Sequence, residues 1–411
     1  MSTIPYRLRL VERVARELLE QLPALLLVGP RACGKTTTAA RMARTVVRLD
    51  RSSEAAAFVA DPDVALSGLS EPILLDEWQA VPTILGAVKR AVDGTPGAGR
   101  FILTGSVRAE LQAETWPGTG RLVRLRMLPL TVAERMQRPT RPLLDRIVAR
   151  EELRPAPEMV DLRGYVELAL SSGFPEATLA TSEEVRRRWL ESYVDQLVTR
   201  DAPELQAVRD PARLRRFFEA YALNTAGIVS DSTLCEPAGI NRKTGVTYDR
   251  LLSNLLVVES LPAWTSNRLK RWALSPKRYL VDPGLMVGAL GIDTAAVLRN
   301  GDLLGRTLDT FVTAHLRAEA EVSHTRPRMY HLRTAEGRQE VDLLIEFGAG
   351  DVVAFEIKAS SAPDSGSARH LAWLRDHLGE RFVAGVVLHT GPKTFELGDR
   401  IVAAPISTLW A

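Results

Sequence analysis

The stretch "ALLLVGPRACGKTTTAARMA", residues 24 to 43, constrains this chain more than any other. An apolar run reads as a buried strand, a loop bounded by glycines follows, and an Ala- and Thr-rich segment then reads as a helix. Residues 29 to 36 fit the pattern G-x-x-x-x-G-K-[ST]. Such a loop turns its backbone N–H groups toward phosphate oxygens, with Gly29 and Gly34 free of the Cβ that would obstruct it. Lys35 is placed to reach the terminal phosphates, Thr36 to offer a hydroxyl to Mg²⁺, and Thr37 to line the same loop. ATP and Mg²⁺ are the expected ligands.

Two later strands complete the pattern. "EPILLDEWQ" is a short apolar strand ending in Asp76 and Glu77. The first carboxylate suits the magnesium shell and the second suits orientation of an attacking water. "RFILTGSVR" ends in Thr104, Gly105 and Ser106, and Ser106 is the candidate γ-phosphate sensor, with an N-cap as its bland alternative. With "VVRLD" (46–50) and "RLVRLRML" (121–128), these runs predict a parallel sheet sandwiched by helices.

At 411 residues the chain exceeds one core and reads as an α/β multidomain protein. The expected boundaries are 1–140 for the nucleotide domain, 141–210 for a helical connector, 211–298 for a third domain and 299–411 for the last. No apolar run approaches the ~20 residues of a membrane helix. The N-terminus is charged and periodic, and the two cysteines, Cys33 and Cys235, are far apart. A cytoplasmic protein with no membrane partner is expected.

Residues 211 to 280 read as three helices followed by a basic hairpin, the layout of a winged helix-turn-helix. Arg242, Lys243, Arg250, Arg268, Lys270, Arg271, Lys277 and Arg278 oppose only Asp249 and Glu259 between residues 241 and 280, with Trp264 and Trp272 interleaved. That excess points to DNA, read through its backbone more than its sequence. A solvated face, or a protein-binding winged helix, is the alternative.

"EVDLLIEFGAGDVVAFEIKAS" (340–360) reads as two strands. Alternation puts Val341, Leu343 and Ile345 on one face, with Glu340, Asp342 and Leu344 on the other. The second strand divides into Val353, Phe355, Ile357 and Ala354, Glu356, Lys358. The charged face is either solvated surface or a site where two carboxylates and an ammonium gather.

The order of phosphate loop, Asp-Glu strand and polar strand resembles the AAA-like branch of P-loop ATPases. That resemblance implies ATP hydrolysis in a homo-oligomer, with a hexameric ring as the expected form, whose neighbouring subunit supplies an arginine. Arg121 is the candidate, with Arg108 and Arg124 as rivals. "GTGRLVRLRMLPLTVAER", "SSGFPEA" and "RRRWLESYVDQLVTRDAPEL" resemble a prokaryotic family of uncharacterised AAA ATPases with a C-terminal region of unknown function. The last ~110 residues resemble the restriction-endonuclease-like superfamily. This implies that Asp342 and Glu356 bind Mg²⁺ while Lys358 orients water, with Asp309 where many relatives carry Glu. The combined expectation is an ATPase that binds or remodels DNA, with an ATP-regulated endonuclease or a nucleotide-controlled protein switch as alternatives.

Overall fold

A strand that is apolar at every position must be covered on both faces, and this governs the N-terminal architecture. The computed structural model describes residues 5–106, 120–138, 141–179, 182–205, 210–266, 274–334, 337–348 and 350–411. Strand β1 (Ala24–Val28) is buried throughout and lies between β4 (Phe101–Gly105) and β5 (Leu122–Arg126). Strands β2 (Thr45–Arg48) and β3 (Ile73–Asp76) extend the sheet to the order β2-β3-β4-β1-β5, with every pairing parallel. Parallel neighbours require crossover connections, supplied among others by the helices Lys35–Ala40 and Ile84–Gly94. Burying each large aliphatic side chain of such a strand stabilises it by roughly 1.5–3 kcal/mol.

The chain forms two compact units, Met1–Pro129 with Asn254–Leu256, and Leu130–Ser253 with Val257–Ala411. In the second unit the helices Pro211–Leu223, Asp231–Ala238 and Arg242–Asn254 precede an antiparallel pair, β6 (Val258–Leu261) and β7 (Lys277–Leu280). A Cβ at Gly245 would come 2.3 Å from the Cys235 sulfur, so glycine lets two of these helices approach closely. The third helix ends at Asn254, earlier than the apolar run "LLVVESL" suggests, because Val258 to Leu261 pair as a strand.

The unit also contains β8 (Arg328–Arg333), β9 (Glu340–Phe347), β10 (Asp351–Ile357), β11 (Phe382–His389), β12 (Phe395–Gly398) and β13 (Ile401–Pro405), ordered β12-β13-β11-β10-β9-β8. One face packs against the long helix Gly301–Val322 and the C-terminal Ile406–Trp410 turn. The other packs against the helix Arg369–Leu378 and Trp264. Neither face is the solvated surface that alternation left open, since Leu344 and Ala354 are fully buried.

The face assignment on β9 needs correction. Val341 joins Leu344 in one apolar cluster, while Leu343 and Ile345 join the other. Pairing with β8 explains this: Tyr330 opposes Leu344 and Leu332 opposes Val341, so β9 carries an extra residue there. Such a bulge breaks the strict period of two and re-aims the side chains around it, Asp342 among them.

Candidate functional site

In the first unit the phosphate loop follows β1. A Cβ on Gly29 would sit 2.1 Å from the Met127 carbonyl oxygen, so only glycine passes beside the chain leaving β5. Gly34 has φ 95°, a left-handed conformation that glycine adopts without strain. Lys35 begins the following helix, is buried, and donates to the Pro30 carbonyl at 2.9 Å. Thr37 is exposed one residue beyond Thr36.

Asp76, at the end of β3, is the hub. Thr36 Oγ1 donates to Asp76 Oδ1 at 2.7 Å, and Thr104 Oγ1, from the neighbouring β4, donates to the same oxygen. A carboxylate and a hydroxyl held together at the foot of a phosphate loop are the hard oxygen donors that suit Mg²⁺. Glu77 follows in a left-handed conformation, φ 52° and ψ 50°. Its Oε2 accepts from Gln79 Nε2 and, at 3.2 Å, from Ser106 Oγ. Ser106 is buried, and here it serves the carboxylate.

The second unit gathers a different set of charges. Lys277, on β7, donates from Nζ to Asp309 Oδ2 at 2.6 Å and, at 3.3 Å each, to Asp342 Oδ1 and the Asp342 carbonyl. Asp309 also accepts from the Tyr279 hydroxyl at 3.0 Å and from Thr313 at 3.1 Å. Asp342 Oδ2 accepts from the Ile357 N–H at 2.9 Å, just where the β9–β10 ladder ends. Beside it, Glu356 Oε2 accepts from Lys358 Nζ at 2.9 Å.

Burial alone would lower Lys277, but Asp309, then Tyr279 and Asp342, hold its ammonium well above the ordinary lysine value. Burial raises Asp309 to about 6 against the pull of Lys277, which leaves it ionised at neutral pH. Burial also opposes ionisation of Asp342, yet Lys277 and the Ile357 N–H carry it below the usual carboxylate range. Glu356 is pushed up to about 8 by burial and then by the Asp342 charge. Asp309 and Asp342 thus share the Lys277 ammonium, while burial and the Asp342 charge oppose ionisation of Glu356 beside Lys358.

Residues 21–136 match the family model described as an AAA domain. With the strand, loop, Asp76 and Glu77 arranged as above, this decides the class. The chain is a P-loop ATPase. Residues 162–296 and 304–409 of the ATPase match two domains of unknown function, DUF8612 and DUF4143. Uncharacterized proteins of Mycobacterium bovis and Mycobacterium tuberculosis are each 29% identical to it over 396 residues, covering 95% of this chain and 81% of theirs. The Walker-type ATPase of Pyrococcus abyssi is 16% identical, with a TM-score of 0.43 over 68% of this chain and 94% of that one.

Several expected residues of the ATPase lie elsewhere than the sequence suggests. Lys277 and Arg278 are not DNA-facing: both are buried, and Arg278 pairs with Asp231 at 2.6 Å and the Val229 carbonyl. They alternate on a strand whose two faces are covered. Arg242 is exposed and also pairs with Asp231, at 3.0 Å, while Lys243 and Arg250 are exposed on the same helix. Arg268, Lys270, Arg271 and Trp272 lie outside the described residues, as does Arg108. Arg121 pairs with Asp93 at 2.9 Å. It precedes Leu122, which sits opposite Ala24, whereas the loop leaves the other end of β1 after Val28.

The sequence gives no sign of two contributors. Arg9 is buried and donates to the carbonyls of Cys33 at 2.7 Å and Leu128 at 2.5 Å, tying the phosphate loop to the end of β5. Gln79 is the other, and only its spacing of two from Glu77 hints at its role. Among the described residues no helix is long and apolar enough to cross a membrane.

Proposed function

We propose that this ATPase couples Mg²⁺-dependent ATP turnover to the binding or remodelling of DNA by its second unit. The observation that carries the ATP half is the joining of Thr36 and Thr104 to one oxygen of Asp76, with Glu77 next in sequence. In this reading Mg²⁺ neutralises charge on the transferring phosphoryl group. Asp76 and Thr36 would hold it and Lys35 would leave Pro30 for the phosphates, while Glu77, oriented by Ser106 and Gln79, would take the proton of the attacking water.

Support for the DNA half is the helix Arg242–Asn254, third in a three-helix and hairpin order, whose exposed residues include Arg242, Lys243 and Arg250. Neutralising all three would reduce the salt slope of duplex binding by up to ~2.7, at ~0.9 per phosphate contact. The burial of Lys277 and Arg278 favours a second reading, a nucleotide-controlled switch that grips protein. ATP turnover measured with and without single-stranded, duplex and branched DNA separates the two. Stimulation supports DNA coupling, and indifference to every DNA structure defeats it.

We also propose that the ATPase works as a ring-like homo-oligomer, with Arg121 reaching a neighbour's nucleotide. Arg121 lies at the end of β5 remote from its own loop, roughly 13 Å away along four strand residues, so it suits action between subunits. Mixing Lys35→Ala with Arg121→Ala chains should restore turnover; a fully active monomer would refute the arrangement.

A further inference from the structure

The fold resemblance of the last domain implies a Mg²⁺ site built from Asp342, Glu356 and Asp309. The residues present do not fit one. We propose that the ammonium of Lys277 stands in the metal position of this carboxylate cluster, so that the folded chain takes no divalent cation there and the cluster acts as an internal charge lock.

Geometry carries the inference. Lys277 Nζ lies 2.6 Å from an oxygen of Asp309 and 3.3 Å from two oxygens of Asp342, one of them the main-chain carbonyl. A carboxylate from a helix, a carboxylate from a strand and an adjacent carbonyl are the oxygen set a hard cation collects. Here they converge on a side chain, from a residue only 3% exposed. A dication held at ~2.0–2.6 Å from the same oxygens would overlap the ammonium and be repelled by it. The remaining oxygen of Asp342 is already used, by the Ile357 N–H. Among the described residues no group of three or more His, Cys, Asp or Glu side chains is arranged to hold a metal.

Glu356 supplies an independent trace of the site. Its Oε1 is buried and has no hydrogen-bond partner, while Oε2 is taken by Lys358. An orphaned buried carboxyl oxygen is unusual, and it marks the one member of the carboxylate set that the ammonium leaves unpaired. Lys277 satisfies the other two carboxylates without reaching this oxygen. The lock also joins three elements distant in sequence: β7, the helix Gly301–Val322 and β9. Its role is thus to fasten the β6–β7 hairpin to the large sheet, and the cluster does not cut phosphodiesters.

The test is Mn²⁺ titration of nucleotide-free full-length protein, followed by calorimetry and by the electron-spin signal of free Mn²⁺. The wild type should bind no Mn²⁺ at this cluster at millimolar concentration. Lys277→Met should gain one Mn²⁺ per chain, lost again in Lys277→Met/Asp342→Asn. Wild-type binding abolished by Asp342→Asn would overturn the proposal, as would a folded Lys277→Met chain that gains no site. Amine labelling of the wild type, read by mass spectrometry, decides the matter even where Lys277→Met fails to fold. Lys277 should stay unlabelled with and without Mn²⁺, and labelling that appears only with Mn²⁺ would show the metal displacing it.

Discussion

Thr36 donates its hydroxyl hydrogen to Asp76 at 2.7 Å, joining the end of the phosphate loop to the end of β3 across the intervening β4. Thr104 donates to the same oxygen from β4. Asp76→Asn keeps the shape and removes the charge. Hydrogen bonds to a charged group are each worth ~1.5–3 kcal/mol, so turnover should fall at least ~10-fold, with a higher Mg²⁺ requirement. Initial rates across a Mg²⁺ titration check this. An unchanged Mg²⁺ dependence would remove Asp76 from the metal's surroundings.

Gln79 is expected to position Glu77 without touching ATP. It shares Glu77 Oε2 with Ser106, on a residue whose backbone lies in the left-handed region, where a non-glycine residue costs ~1–3 kcal/mol. Gln79→Ala should therefore lower kcat roughly 10-fold while KM stays near wild type. Gln79→Glu places a second carboxylate against the first and should not rescue. A rise in KM with kcat intact would make Gln79 part of the binding surface.

Stability of the second unit should fall as pH rises from about 4.5 to 8. Burial pushes Glu319 from its ordinary 4.5 up to about 8, against the backbone N–H groups of Leu143 and Leu144. Between those values the folded chain keeps a proton that the unfolded chain has released. The stabilisation is complete below pH 4.5 and is lost on passing pH 8. Glu319→Gln cannot titrate, so its thermal unfolding should lose the share of this slope that Glu319 supplies, on the order of 5 kcal/mol across the window, while Glu356, Asp309 and Asp282, also raised by burial, keep theirs. Buried His315 and His331, both held down to about 4, act in the opposite sense below pH 6.5 and are common to both chains. Parallel wild-type and mutant curves would remove Glu319 from the balance.

The nucleotide site was legible because its determinants are local. An all-apolar strand, two glycines and a Lys-Thr pair fall within one short run, and Asp76 ends a second apolar strand of the same parallel sheet, one strand removed across β4. Lys277 was not legible. It lies in a basic stretch that reads as solvated surface, and its partners Asp309 and Asp342 are 32 and 65 residues away. Nothing local distinguishes a lysine that will be paired inside from one that will meet a phosphate. The bulge at Val341 to Leu344 escaped for a related reason, since it is set by pairing with β8 and leaves no glycine as a marker. Arg9 was equally hidden, because the carbonyls it satisfies carry no sequence signature.

The most direct measurement of the central claim is single-turnover ATP hydrolysis by Glu77→Gln beside equilibrium ATP binding. Glutamine preserves the length of the side chain and can still meet Ser106, but it cannot accept the proton of the attacking water. Binding should stay near wild type while the hydrolysis rate falls by ~10²–10⁴, the range for loss of a general base. Wild-type hydrolysis by Glu77→Gln, or equal loss of binding and turnover, would contradict the account.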